Sequence, residues 1–115
     1  LPISLPNRPA SLELRAELDA ARPVALAELQ SAAVAALHSA AGDQRAAVGA
    51  VCADARLRRL WEALNATVRA YNDAALADRE TFGALWPAHS RRPFELEADA
   101  REAVAAAAAA ARRDS

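Results

Sequence analysis

The sequence predicts an all-α protein, an antiparallel bundle of three to four helices with one long central helix. Three observations carry that expectation. Ala, the strongest helix former, occupies 35 of the 115 positions. The residues that favour sheets are scarce, with 6 Val, 1 Ile, 2 Phe, 2 Trp and 1 Tyr. The larger apolar residues recur at intervals of three and four, the spacing that lines one face of a helix. The length suits one domain, yet once Ala is set aside only 27 hydrophobic residues remain to build a core. The core must therefore be thin and the backbones closely packed.

Residues 1–10 hold Pro2, Pro6 and Pro9 and predict an extended arm, because each proline fixes φ and biases its predecessor toward extended geometry. A single helical domain then spans 11–115. Ser11 offers an N-cap, with Glu13 in the first turn. Leu14, Leu18 and Ala21 share a face before Pro23, which predicts either a kink or the first turn of a new helix. From Val24 to Ala41 the stripe is Leu26, Leu29, Ala33, Leu37 and Ala40. Gly42 suits the left-handed position that ends a helix and Asp43 the cap that starts the next, so a tight antiparallel turn follows.

The spine runs from about Asp43 to Glu80. Its seam is Val48, Cys52, Ala55, Leu57, Leu60, Leu64, Val68, Tyr71 and Ala75, with Trp61 beside it. Asp54 could cap a fresh helix, but the continuous spacing predicts continuity or a mild kink. Phe82, Leu85, Trp86 and Phe94 fall in or beside a loop with two prolines and are expected to plug one end of the bundle. The last helix covers Glu95 to Arg113, with Glu95, Glu97 and Asp99 early and Arg112 and Arg113 late, as the helix dipole favours. Its run from Ala105 to Ala111 has high propensity and little surface to bury, so the helix is expected either to pack very closely through small residues or to fray after about Ala108. The ordered core is expected within residues 24–94.

Charge narrows the function. With 14 Arg against 15 Asp and Glu, interspersed, there is no basic field to attract a nucleic acid. None of the basic residues is Lys, a pattern that a GC-rich genome leaves alongside abundant Ala; selection against amine-directed tagging is the alternative. The lone Cys52 cannot form an internal disulfide, and Val48, Val51 and Ala55 around it predict a small buried hydrophobe. The chain has no Met and starts at Leu1, which predicts a processed product that an anchor segment could precede.

Catalytic chemistry finds little support. His38 ends a helix and His89 lies in the proline loop, so both read as solvated rather than as metal ligands; a haem or small-molecule site built on them with the aromatics is a third reading behind the two given below. The six serines lie at caps, faces or ends, and the three glycines are isolated, so neither a nucleophile nor a phosphate loop is marked. No enzyme activity, metal or cofactor is expected. One cluster stands out in the long helix: Trp61, Asn65, Arg69, Tyr71 and Asn72. Asn is a poor choice in mid-helix unless its amide is occupied, and Asn65 and Asn72, seven apart, share a face. They predict a solvated or interhelical hydrogen-bonding stripe or, with Phe82, Trp86 and Phe94, an interaction surface.

Arg69-Ala70-Tyr71-Asn72-Asp73-Ala74-Ala75, followed by Arg92-Pro93-Phe94-Glu95-Leu96-Glu97-Ala98-Asp99-Ala100-Arg101-Glu102, resembles the C-terminal half of the LemA family over residues 57–102. Ala75 stands where that family has a branched apolar residue, a second Tyr-Asn pair is missing around Leu76 to Arg79, and Phe82-Gly83 replaces a Phe-Pro step. Arg8-Pro9-Ala10-Ser11-Leu12 is only a faint echo of its N-terminal motif. The resemblance implies a helical bundle tethered to a bacterial inner membrane by an N-terminal helix outside this segment, with no catalytic residues. Without that tether a cytoplasmic protein is expected. The function expected is a non-enzymatic scaffold or interaction domain with a protein partner or a second copy of itself. The alternative is a coiled-coil hairpin or dimerisation module of a larger ATPase-type machine.

Overall fold

A computed structural model describes residues 9–83 and 90–114; Pro2 and Pro6 of the N-terminal arm, and Leu85, Trp86 and His89, lie outside the described residues. The described residues form four helices: α1 (Ala10–Ser39), α2 (Gln44–Ala53), α3 (Ala55–Phe82) and α4 (Leu96–Arg113). This is the all-α bundle the sequence predicts.

The new helix expected at Pro23 does not start there; α1 continues through the proline as one helix of 30 residues. The reason is phase. Leu18 and Ala25 are seven apart, Leu29, Ala33 and Leu37 follow at intervals of four, and all five are buried. Pro23 and Asp19, whose carbonyl loses its helical partner, lie on the solvent side. Apolar burial on both sides of the proline offsets the roughly 3 kcal/mol that an interior proline costs. Ala25, not Leu26, carries the stripe, and Leu26 is 39% exposed.

The start of α1 also departs from expectation. Pro9 occupies the N-cap position without a side-chain bond. Ser11, expected as the cap, is buried inside the first turn, and its backbone N–H donates to Oδ2 of Asp78 at 2.8 Å. A carboxylate from α3 thus does the work assigned to the local serine. The opposite end closes through two backbone bonds, from Ala41 N–H to the His38 carbonyl and from Gly42 N–H to the Leu37 carbonyl. This pairing places Ala41 in the left-handed position, at φ 52°, with Gly42 following at φ 89°.

The predicted single spine is two helices. Asp54 adopts extended geometry, and its carboxylate accepts from Arg56 N–H at 2.9 Å and Leu57 N–H at 3.3 Å, which starts α3 afresh. A side chain able to satisfy two orphan amides wins over the continuous apolar spacing. Trp61, expected beside the seam, is buried within it at 3% exposure. Cys52 is half-buried rather than buried, at the edge of the core.

α1 and α3 run antiparallel, with Ser11 bonded to Asp78 at one end and Glu28 paired with Arg56 farther along. α4 returns beside α1 and α2, bringing Ala107 and Ala111 near Leu37 and Gly42. It runs unbroken to Arg113, and Ala100, Ala103, Val104, Ala107 and Ala108 are buried. Of the two outcomes open for the Ala run, close packing through small residues is the one observed, and the core extends beyond residue 94. Small side chains let α4 sit close enough to bury a face that carries almost no bulk. The molecule measures 66 × 27 × 24 Å, with one large apolar cluster shared by the four helices and a smaller one of Leu18, Val68, Tyr71 and Ala75 farther along α1 and α3.

Candidate functional site

The two mid-helix asparagines organise a specific polar structure, two amides each making a pair of backbone hydrogen bonds. Seven residues of α-helix turn through nearly two revolutions and rise about 10.5 Å, so Asn65 and Asn72 point from one face. Across from them lies residues 91–95, which have no helical structure. Pro93 keeps Arg92 out of the helical region and fixes its own φ, so this strap is extended. Three extended residues span about 10 Å. The strap and the helix face are therefore commensurate at 91/94 against 72/65.

Each carboxamide uses that match to bracket one strap residue. Asn72 accepts from Arg91 N–H at 2.8 Å and donates to the Arg91 carbonyl at 2.9 Å. Asn65 accepts from Phe94 N–H at 2.7 Å and donates to the Phe94 carbonyl at 2.9 Å. The strap runs antiparallel to α3. Pro93, which has no N–H, falls between the bracketed residues, where no donor is required. The brackets read backbone alone.

Side chains reinforce the strap on both edges. The Arg91 guanidinium lies 5.5 Å from the centre of the Tyr71 ring and reaches Asp19 of α1 at 3.3 Å. Arg22 of α1 lies 5.9 Å from the Phe94 ring, and Phe94 packs against both apolar clusters. Just beyond the strap, Trp61 Nε1 donates to Oδ2 of Asp99 at 2.8 Å and ties the first turn of α4 to α3. A continuous path from Arg91 to Asp99 is thus fastened to the α1/α3 pair.

The residues predicted as an interaction surface divide accordingly. Trp61, Asn65, Tyr71, Asn72 and Phe94 come together, but as the inner lining of the strap contact. Arg69 lies on the Asn65–Asn72 stripe and is exposed. Phe82 is 43% exposed at the far end of α3. Trp86 lies outside the described residues. Three contributors escaped the sequence reading: Asp78, Asp99 and the Asp19–Arg91 pair. Asp78 had a readable signal, since it continues the seam Leu64, Val68, Tyr71, Ala75 and an acid on an apolar seam needs a buried donor. Among the described residues no group of three or more His, Cys, Asp or Glu is placed to hold a metal ion, and His38 is exposed in the last turn of α1. No helix among them is long and apolar enough to cross a membrane. Comparison with family models, with curated proteins and with solved structures gave no match to this chain.

Proposed function

We propose that this chain is a non-enzymatic helical interaction domain that associates with a second copy of itself through the narrow end of the α1/α3 pair. The observation that carries this reading is the exposure there of Leu12 (40%), Leu76 (63%) and Phe82 (43%). Leu12 adjoins Ser11, and Leu76 and Phe82 flank Asp78, so all three lie close along the axis to the bond that joins the two helix ends. Among the described residues, α1 and α3 are the only helices at that end. Two helices bury one stripe each and leave their flanks in water. A second pair laid against them in two-fold symmetry completes a four-helix cross-section and covers Leu12 and Leu76.

The test is light scattering on a size-exclusion column over a concentration series. A mass rising toward twice 12.1 kDa is expected, and Leu12→Glu with Leu76→Glu should return the monomer at unchanged helix content. A wild-type chain that stays monomeric at every concentration would rule out self-association.

The LemA resemblance adds a membrane tether outside this segment. Its support is that the two blocks that carry it, 69–75 and 92–102, come together: Phe94 packs against the cluster that holds Tyr71 and Ala75, and Asn72 brackets Arg91, the residue just before the second block. An apolar helix of about 20 residues encoded upstream would support the tether. A nucleotide-binding motif there would favour the hairpin arm of a larger machine. The packing of α4 on α1 and α2 argues for a self-contained bundle, since a hairpin arm has no third helix to close one end.

A further inference from the structure

A groove of about 780 Å³ lies between α2, the start of α3 and the first turns of α4, far from the Ser11–Asp78 end of the molecule. Its rim carries three arginines from three helices: Arg45 of α2, Arg58 of α3 and Arg101 of α4. The chain as a whole carries a net charge of −1, so this concentration of positive charge is local. Arg101 is paired with Glu97, the one acid on the rim. Arg45 and Arg58 make no ion pair or side-chain hydrogen bond with the described residues. Two guanidinium groups thus face the groove uncommitted.

The floor is apolar, built from Val48, Gly49 and Cys52 of α2 with Leu96 of α4. Gly49 is the informative residue. It sits in the middle of a ten-residue helix, where glycine costs about 1 kcal/mol relative to Ala, in a chain that uses Ala at 35 positions. Its φ is ordinary, and a Cβ added there would meet nothing within 4 Å. Neither backbone geometry nor packing within the chain accounts for it. What glycine does at this position is deepen the floor between Arg45 and Cys52, one turn from each.

We infer that this groove binds a small amphipathic carboxylate free in solution, its headgroup held by Arg45 and Arg58 and its hydrocarbon body laid on Val48, Gly49 and Leu96. The planar guanidinium fork matches a carboxylate in two parallel hydrogen bonds, which a single ammonium cannot do. The lining holds no aromatic residue on which a nucleobase could stack. Its apolar floor favours a ligand with a hydrocarbon body over a bare anion.

Cys52 supplies the readout. It is the only Cys of the chain, is half-buried, and lies on the groove floor. Burial first, and then the Glu97 carboxylate, push its thiol above the ordinary range, with Arg101 pulling the other way. Alkylation by the neutral reagent iodoacetamide at pH 8.5 therefore gives a slow, single-site rate that an occupant of the groove should reduce.

The probe is dodecanoate below its micellar concentration, with dodecanol as the uncharged control. Dodecanoate is expected to bind at least about tenfold more tightly than dodecanol by calorimetry, a ratio equivalent to one charge-assisted contact. At saturation it should slow Cys52 alkylation about fivefold or more, as expected when a bound ligand covers most of its contact surface. Arg45→Gln with Arg58→Gln should remove the preference for the carboxylate, and Arg69→Gln, outside the groove, should leave it intact. Gly49→Leu fills the floor and should abolish binding while the melting temperature is unchanged or raised, so lost binding cannot be confused with lost folding.

Equal affinity for dodecanoate and dodecanol would overturn the inference. So would an unprotected Cys52, or full binding by Gly49→Leu. Co-sedimentation of the chain with vesicles of three parts phosphatidylcholine to one part phosphatidylglycerol, lost in the Arg45→Gln with Arg58→Gln variant, would overturn the free-ligand assignment and place the groove at a membrane surface.

Discussion

Replacing Asn65 and Asn72 with Ala tests whether the two amide brackets hold the strap. Each Asn makes two backbone hydrogen bonds. At a net 0.5–1.5 kcal/mol per bond, each single substitution should destabilise the chain by about 2 kcal/mol. The brackets share one short strap, so the second loss should be coupled to the first. With both gone, the strap lifts and takes Phe94 from the edges of both apolar clusters, and the double variant should lose about 5 kcal/mol against the roughly 4 of simple addition. Urea unfolding followed by far-ultraviolet circular dichroism measures the total. Hydrogen exchange at the Arg91 and Phe94 amides locates it, since those two N–H groups should lose protection while the α2 amides keep theirs. Asn72→Asp adds a sharper comparison: it can still accept from Arg91 N–H but cannot donate to the carbonyl, so it should fall midway. A double variant within 0.5 kcal/mol of wild type, with Phe94 N–H still protected, would refute the bracket reading.

Three further perturbations address the helix ends and the proline. Asp78→Ala should cost about 2 kcal/mol, because it removes a buried charge-assisted cap from the start of α1; exchange at Ser11 should accelerate first, and Asp78→Asn should recover about half. Ala41→Gly should stabilise by about 0.5–1 kcal/mol through relief of the left-handed conformation, and Gly42→Ala should destabilise by a similar amount; thermal melts of the pair should move in opposite directions. Pro23→Ala should restore the bond to the Asp19 carbonyl and raise stability by about 2 kcal/mol, the interior-proline cost less the entropy that proline removes from the unfolded chain; an unchanged urea midpoint would show that α1 already accommodates the ring without loss.

The helices were legible because their signals are local and repeat. Leu29, Ala33 and Leu37 announce one face of α1 at three successive turns, and Leu57, Leu64, Val68, Tyr71 and Ala75 do the same for α3. The errors fall where a side chain contacts backbone outside its own periodic pattern. Asp54 breaks the long spine by taking two amides, a competition that apolar spacing cannot register. Pro23 does the reverse: its local message to stop is overridden by burial on both sides. The Ala run of α4 leaves close packing and fraying both open, because an alanine face offers little transferred area per residue yet allows close approach. Its burial depends on how near α1 and α2 can come, a tertiary quantity absent from any window of α4.

The strap shows why only part of the candidate site could be read. Two Asn at a spacing of seven, in a helix rich in better helix formers, mark an occupied face, and Pro93 marks an extended segment. Each signal is visible alone. Joining them requires the coincidence that seven helical residues and three extended ones cover the same distance, about 10 Å. That coincidence imposes a register: moving the strap by one residue would place Pro93 or Glu95 opposite Asn65, and Pro93 has no N–H for the Asn65 oxygen to accept from. The proline therefore does more than keep the strap extended. It excludes one neighbouring register by leaving a bracket half-filled, and the contacts of Arg91 with Tyr71 and of Phe94 with the core then favour the observed alignment over the other.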